Sequence, residues 1–455
     1  MAECEPVRLT GALMERTMTK SARRTTRNNS EPGDRTVATS GEIFADGTLT
    51  ELVAPADNGK PALLFWNGKR VRIAPQIDHL RQVYRPLELE VSIRQAMRFP
   101  RAARPYASTK ALFKGIANLF ERYIGLSTPE AAMATAWTAT TWFPDCLSSP
   151  PTLVVSGPDM SHAITFFRLL RCLSRRGLLL AELSRSSLLS LPMALRPTLM
   201  VNQPYLSRTI TSLLRASNYR GLFVSGNRGA VMDIACSKAV YSGMEAGADS
   251  WGDSALYLAL PPGRSDLPPL GVREQDEIAN LFQPQMLMYR CRAFRQVREP
   301  RPAAGRPKSP NGEMAHNLAA CIQGDPDFLQ TVIPFLQRQE EDALARRSCD
   351  VKSALVEVVL AQSHEAKEIA VSRVAELTNA LLRCRGELLE YSGQEIGWTL
   401  KQLGFYRHRS GGGMVLRFSR ETRLLAHQLA RHYGLTLSAM DGCGDCTPTQ
   451  VPTTQ

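Results

Sequence analysis

Residues 151–262 alternate between short apolar segments and amphipathic segments, and this alternation constrains the fold more than any other feature of the chain. Amphipathic helices are predicted over Ala163–Arg176 and Tyr205–Ala216. The apolar segments have the length and composition of buried strands, and they read "TLVVSG", "GLLLAELS", "PTLMVNQP", "GLFVSG", "AVMDIACS" and "SALYLALP". Buried strands joined by helical crossovers predict an α/β fold, in which helices flank a mostly parallel sheet.

The remaining segments suggest how the chain is organised around this core, which we place at residues 146–298. Two hairpin signals, Asp46-Gly47 and Asn67-Gly68, lie in alternating segments and predict a small β-rich element. Four prolines and two glycines in "EPRPAAGRPKSPNG" are typical of a linker or an exposed loop. The predicted units are a disordered basic tail (1–40), the β-rich element (41–87), a helical segment (88–145), the core (146–298), the linker (299–312), a helical region (313–385), a C-terminal unit (386–436) and a polar tail (437–455).

The C-terminal unit has the pattern of a winged helix. Ser392 is a candidate N-cap, and the helix after it carries Ile396, Leu400 and Leu403 on one face. "YRHRSGGGMVLRFS" predicts a hairpin with a glycine turn, and "RETRLLAHQLARHYG" predicts a closing helix. We expect DNA contacts from four side chains of this helix end and wing, Lys401, Arg407, Arg409 and Arg417. The alternative is a unit that packs on the sheet domain or contacts another protein.

Charge supports a nucleic-acid partner. The net charge is +12, and residues 160–228 contain ten arginines against the single acid Glu182. Clusters of this kind attract polyanions, although arginine replacing lysine on a solvated surface would give the same count. No apolar run is long enough to span a membrane, and the first twenty residues mix charge throughout, so neither a membrane partner nor secretion is expected. Scattered cysteines predict reduced thiols and a cytoplasmic location.

The order of these segments, with the patches "TAWTATTWFPD", "RPTLMVNQ", "DIACSKAVYSG", "DSALYLALPP" and "IGWTLKQLGF", is similar to that of P-loop ATPase and helicase-like proteins associated with primases in phages and integrated mobile elements. The resemblance covers roughly residues 85–435. It implies a P-loop NTPase-like core, a helicase or primase as partner and assembly of several copies. It also implies an intact phosphate loop after the first core strand and two acids after the "PTL" strand.

Both implied motifs are degenerate in this chain. Gly157 is present, but His162, Ala163 and Ile164 stand where the loop needs glycine, lysine and a hydroxyl residue. Asn202 and Gln203 replace the acids that would hold Mg²⁺ and orient water. We therefore expect a catalytically inactive protein without a cofactor, unless the loop still binds ATP and Mg²⁺. An ATPase with atypical ligands and a transcriptional regulator or scaffold without nucleotide chemistry remain the alternatives.

Three other positions in the sequence are candidates for a functional role. The resemblance allows Lys238 to sense a γ-phosphate, although a surface or packing role is the simpler interpretation. It would also allow an arginine finger near Asp253–Ala255, where no arginine stands. Cys443 and Cys446 form an isolated C-x-x-C pair, and a zinc site would need further ligands such as His427 and His432. We expect an inert thiol pair and two exposed histidines instead.

Overall fold

The computed structural model describes residues 35–55, 60–225, 231–242, 251, 255–299, 312–348 and 350–435. Five sequence expectations lie wholly or mostly outside these residues: the basic tail, the linker, the polar tail, the Cys443–Cys446 pair, and Asp253 with Ser254.

The N-terminal part forms two small sheets from seven strands: β1 (Arg35–Thr39), β2 (Gly41–Ile43), β3 (Leu49–Val53), β4 (Ala62–Trp66), β5 (Val71–Ala74), β6 (Ile77–His79) and β7 (Gln82–Pro86). Strands β2 to β5 make an antiparallel sheet in chain order, and β7 pairs with β1 and β6. Tight turns join β2 to β3 and β4 to β5 where the two hairpin signals predict them, and Gly47 and Gly68 adopt positive φ angles of 76° and 92° there.

Three helices follow, α1 (Val91–Ala96), α2 (Thr109–Ile124) and α3 (Thr128–Thr140). Ser108 caps α2 by accepting a hydrogen bond from the backbone N–H of Ala111, and Gly125 ends the helix with a φ of 73°. Every residue of α3 from Ala131 to Thr140 is buried. A helix buried on all sides belongs in the interior of a large core.

Five parallel strands form the central sheet: β8 (Thr152–Ser156), β9 (Gly177–Leu180), β10 (Thr198–Val201), β13 (Lys238–Tyr241) and β14 (Ala255–Ala259). Their spatial order is β14-β8-β13-β10-β9. The segments that connect these strands contain three helices: α4 (Met160–Leu173), α5 (Arg185–Ser190) and α6 (Arg208–Ala216). The expected α/β fold with a parallel sheet is confirmed.

Each face of this sheet packs into a different hydrophobic core. Leu153 and Val155 of β8 join the core that contains α3 and α4, whereas Val154 between them joins the core on the opposite face. Strand β3 contributes side chains to both hydrophobic cores, since Leu49 belongs to the first core and Leu52 to the second. Alternation along a strand produces this division, because successive side chains point to opposite faces.

Two of the predicted core strands do not enter the central sheet. "GLFVSG" and "AVMDIACS" instead supply β11 (Phe223–Ser225) and β12 (Val231–Asp233), which pair with each other as a separate antiparallel ribbon. Phe223 and Val231 are 62% and 69% exposed, so the ribbon buries little apolar surface. The fifth sheet strand is the "KAVY" segment, β13, whose four residues are all buried.

Three helices continue the chain, α7 (Val272–Arg298), α8 (Gly312–Cys321) and α9 (Pro326–Ser348). The C-terminal elements are α10 (Val351–Glu365), β15 (Glu368–Ala370), α11 (Val371–Cys384), α12 (Gly393–Gln402), β16 (Arg407–Ser410), β17 (Gly413–Arg417) and α13 (Arg420–His432). One hydrophobic cluster runs through all of residues 355–433. Helices α10 and α11 therefore share their core with the unit that the sequence pattern begins only at residue 386.

Candidate nucleic-acid interface

The connection between β8 and α4 is much tighter than a phosphate-binding loop. Only Gly157, Pro158 and Asp159 separate the strand from the helix. Asp159 is the N-cap, and its carboxylate accepts a hydrogen bond of 2.8 Å from the backbone N–H of Ser161. The protein's own anion thus occupies the helix N-terminus, where a bound phosphate would otherwise accept such hydrogen bonds.

Packing accounts for the residues that stand in the phosphate-loop positions. A Cβ on Gly157 would lie 3.2 Å from the Cβ of Leu260, so glycine allows a close approach of the segment after β14. His162 is buried, and its Nε2 donates a hydrogen bond of 2.9 Å to the carbonyl of Ile124. Ala163 is fully buried and Ile164 is half-buried. Gly157, Ala163 and Ile164 have no polar side-chain atom to offer a nucleotide, and His162 is hydrogen-bonded to the carbonyl of Ile124.

Asn202 and Gln203 lie directly after β10, and β13 separates β10 from β8 in the sheet. The side chain of Gln203 accepts a hydrogen bond of 2.9 Å from the backbone N–H of Leu183 and donates one of 3.3 Å to the carbonyl of Tyr205. The oxygen and the nitrogen of the side-chain amide are therefore both bound to backbone groups of neighbouring loop residues. Gln203 has a structural use that does not require nucleotide.

Lys238 lies at the amino ends of the sheet strands, whereas His162 and Asn202 follow the carboxyl ends of β8 and β10. It begins β13 and is level with Thr152 and Leu199, near the amino ends of β8 and β10. Its ammonium is fully buried and donates a hydrogen bond to Asn218, and burial lowers the pKa of Lys238 to about 8. A γ-phosphate sensor would stand near the carboxyl ends of the strands, so this lysine is a packing residue.

In the C-terminal unit, α12 and the β16–β17 hairpin position the candidate DNA contacts. The side chain of Ser392 caps α12 as predicted and forms a capping box with Glu395. Lys401 is exposed near the end of this helix. The guanidinium of Arg407 lies across the backbone of α12, since a Cβ on Gly397 would overlap its Nη1. Arg409 is exposed two residues further along the same strand.

The hairpin register separates Arg417 from Arg407 and Arg409. Arg407 is level with Leu416 and Arg409 with Met414, so both arginines share the sheet face of the buried Leu416. Arg417 falls on the opposite face and forms an ion pair with Glu368 of β15, with 3.3 Å between Nε and Oε2. The structure places Arg407 and Arg409 on one face of the hairpin and Arg417 on the other, while Lys401 is exposed on α12.

Two exposed aromatic side chains of the same helix and hairpin were not identified from the sequence. Trp398 on α12 is 60% exposed, and Tyr406 immediately before β16 is 82% exposed. Large aromatic residues are usually buried, and base stacking on such side chains is a common means of nucleic-acid binding. Helical periodicity could have identified Trp398 as exposed. Ile396 and Leu400 define the buried face of α12, and residue 398, two positions from each, lies on the opposite face.

The two histidines of α13 differ from the expectation that both are exposed. His427 is buried, and its Nδ1 donates a hydrogen bond of 2.7 Å to the carbonyl of Arg423. His432 is exposed next to Tyr433. Within the part of the chain that the structure describes, no three His, Cys, Asp or Glu side chains form a group that could hold a metal ion.

A buried arginine cluster, which sequence reasoning did not identify, lies between the N-terminal strands and the α/β core. Glu51 of β3 is 1% exposed and binds three arginines, Arg175, Arg176 and Arg290, each at most 4% exposed. Arg290 also forms a bidentate pair with Asp145. Burial alone would raise the pKa of Glu51, but the three positive charges hold it below its usual value.

Comparisons with known proteins leave the family open. No family model matches the chain, and no curated protein matches it. Among solved structures, the apo A form of the NrS-1 C-terminal region aligns with a TM-score of 0.36 and 9% identity, covering 81% of this chain and 95% of that one. A second apo A-form structure, of NrS-1 residues 305–718, aligns with a TM-score of 0.33 and 10% identity, covering 81% and 96%. Scores this low carry no argument about function. No described helix combines the length and apolarity that crossing a membrane would require.

Proposed function

We propose that this protein binds DNA through a winged-helix unit formed by residues 351–435 and does not hydrolyse nucleotides. The observation that carries the proposal is the exposure of aromatic and basic residues on α12 and at the start of the β16–β17 hairpin: Trp398, Lys401, Tyr406 and Arg409. Phosphate contacts from the basic side chains would position the DNA backbone, while the aromatic rings would stack on bases.

The order of elements supports the winged-helix interpretation. Helices α10, α11 and α12 pack in one core with the three-stranded sheet β15-β17-β16, and the β16–β17 turn contains Gly411 and Gly412. In winged-helix DNA binders, a helix enters the major groove while the hairpin touches the backbone or the minor groove. Helix α12 and the hairpin are the elements that would do so here.

The geometry after β8 and β10 supports the absence of hydrolysis. Phosphoryl transfer depends on positioning and on charges that neutralise the transferring group. Here a carboxylate caps the helix at the phosphate-loop position, and Gln203 binds two backbone groups. By its resemblance to primase-associated proteins, the chain would act in the cytoplasm as an accessory of mobile-element replication, with a helicase or primase as its partner.

DNA binding is tested by fluorescence anisotropy of labelled single-stranded, duplex and forked oligonucleotides at several KCl concentrations. We expect affinity to fall linearly with salt on a double-logarithmic plot. Replacing Arg409 with glutamine should lower the salt slope by about 1 and weaken binding to all sequences. Arg338→Gln on α9, which removes another exposed positive charge outside the unit, should leave the slope unchanged. Equal salt slopes for Arg409→Gln and Arg338→Gln would refute the assignment of the interface. A preference for one duplex sequence would favour a transcriptional regulator over a replication accessory.

Hydrolysis is tested by phosphate release from ATP and Mg²⁺, with and without single-stranded DNA. We expect release equal to that of a protein-free blank, because no lysine, hydroxyl residue or acid stands at the motif positions. DNA-stimulated release that the variant Asn202→Ala abolishes would contradict this expectation and establish an ATPase with atypical ligands.

A further inference from the structure

The buried arginine cluster forms one wall of an open cavity of about 520 Å³ between the N-terminal strands and the α/β core. This volume lies within the range of small-molecule sites. Five arginines line the cavity: Arg175, Arg176, Arg196, Arg220 and Arg298. They come from the α4–β9 turn, the residues before β10, the chain after α6 and the end of α7, so the tertiary fold alone gathers them.

Positive charge exceeds negative charge at this site. The cavity-lining carboxylates are Asp145 and Glu42, and Glu51 lies behind the wall. With Arg290, which binds both Glu51 and Asp145, six arginines face three carboxylates, a surplus of three positive charges. Burial, together with the neighbouring Arg175, lowers the pKa of Arg176 to about 9. The folded protein is thus holding more cations together than its own anions neutralise.

The buried arginines have unused hydrogen-bonding capacity. Arg175 is 4% exposed and gives Nε and Nη2 to Glu51, but its Nη1 is buried with no acceptor among the described residues. The Nε of Arg176 is likewise buried without an acceptor. A buried guanidinium N–H that lacks a partner costs free energy. A polyanion in the cavity would neutralise the surplus positive charge that these guanidinium groups carry.

The outer arginines are suited to complete such a site. Arg196 is half-buried and has a left-handed φ of 47°, which directs the chain out of the turn Met193–Leu195. Arg298 is exposed at the last position of α7. Arg220 donates one hydrogen bond of 2.7 Å to the carbonyl of Asp145 and retains further N–H groups. Guanidinium groups match the planar, bidentate geometry of phosphate oxygens better than ammonium groups do.

We propose that this cavity binds a phosphate group that carries two or more negative charges, supplied either by a free nucleotide or polyphosphate or by the phosphorylated end of a nucleic-acid strand. The surplus of three positive charges favours a polyanion over a single carboxylate. The cavity volume favours a small ligand or one strand terminus over a duplex. The site is separate from the loop after β8, since none of its lining residues belongs to that loop.

The test is calorimetric titration of the full chain with pyrophosphate in EDTA, at an ionic strength held constant with KCl. We expect saturable binding to wild type and at least tenfold weaker binding to Arg196→Gln and Arg298→Gln, since a charge-assisted hydrogen bond is worth about a factor of ten or more. Arg338→Gln, an exposed arginine of α9, is the matched control and should bind as wild type does. All four proteins should unfold at the same temperature without ligand, which excludes misfolding as the cause.

Two further titrations identify the source of the phosphate. ATP that competes with pyrophosphate assigns the site to free nucleotides or polyphosphates. A 5′-phosphorylated oligonucleotide that competes when its 5′-hydroxyl counterpart does not assigns it to strand ends. The proposal is overturned if wild type shows no saturable pyrophosphate binding under constant ionic strength. It is equally overturned if Arg196→Gln, Arg298→Gln and Arg338→Gln all bind pyrophosphate as tightly as wild type.

Discussion

Replacing Glu51 with glutamine is expected to lower the free energy of unfolding by about 3–5 kcal/mol, the range seen when one partner of a buried ion pair is removed. Glu51 is the shared acceptor for Arg175, Arg176 and Arg290, and all four side chains are buried. Glutamine keeps the size of the side chain but loses its charge, which leaves three guanidinium groups inside the protein without their shared carboxylate, although Arg290 keeps its ion pair with Asp145. Urea unfolding followed by circular dichroism measures the loss.

The same substitution should change how stability depends on pH. The pKa of Glu51 is lower in the folded protein than in the unfolded chain, so the unfolded state binds its proton first as the pH falls. The stabilisation from Glu51 is therefore complete above the unfolded pKa of 4.5 and is lost progressively below it. Wild type should lose its advantage over Glu51→Gln as the solution becomes acidic, whereas the difference should stay constant near neutral pH.

Glu277→Gln is the matched control for this experiment. Glu277 lies on α7, the helix that also carries Arg290, but it is exposed to solvent. Its loss should change the free energy of unfolding by about 0.5 kcal/mol or less. If Glu51→Gln proved no more costly than Glu277→Gln, the buried arginine cluster could not be organised as the structure shows.

Replacing Trp398 with alanine is expected to weaken DNA binding by about 1–3 kcal/mol, the value of one base stacked on an aromatic side chain. This corresponds to a rise in Kd of roughly fivefold to a hundredfold or more. Trp398 is 60% exposed on α12, so its removal deletes a contact surface without opening a cavity in the core. The thermal unfolding temperature should therefore stay close to that of wild type.

Tryptophan fluorescence offers a direct readout of this contact. The chain has five tryptophans, of which Trp398 is exposed, while Trp66, Trp137, Trp142 and Trp251 are all at most 9% exposed. Stacking of a base should quench the exposed indole selectively, and Trp398→Ala should abolish the DNA-dependent quenching. Tyr205→Ala is the matched control, since this exposed aromatic residue belongs to the α/β core and should not affect Kd. Unchanged affinity and quenching in Trp398→Ala would exclude α12 from the interface.

Local pattern predicted much of the secondary structure. The apolar segments that begin at Thr152, Gly177, Thr198 and Ala255 are strands of a parallel sheet, because short buried strands separated by helices have few other arrangements. The glycine turns and the Ser392 cap were equally predictable, since each depends on residues within a few positions.

Strand choice within the core was less predictable. "AVMDIACS" and "KAVY" are adjacent and similarly apolar, yet the second alone enters the central sheet, with a buried lysine at its start. The burial of Lys238 depends on Asn218, twenty residues earlier in the chain. The hydrophobic pattern alone disfavours a buried lysine at this position, because burying an ammonium group costs free energy. The partner that offsets this cost is supplied only by the tertiary structure.

By itself, the sequence determined the α/β class, the hairpins, the capped helix near the C-terminus and the basic character of the chain. Only the tertiary structure decided that Glu51 meets Arg175 and Arg290, which lie 124 and 239 residues away. It also decided that Arg407 and Arg409 share one sheet face while Arg417 lies on the other. Periodicity and capping act over a few residues, whereas a buried ion cluster or a cavity depends on how distant segments pack.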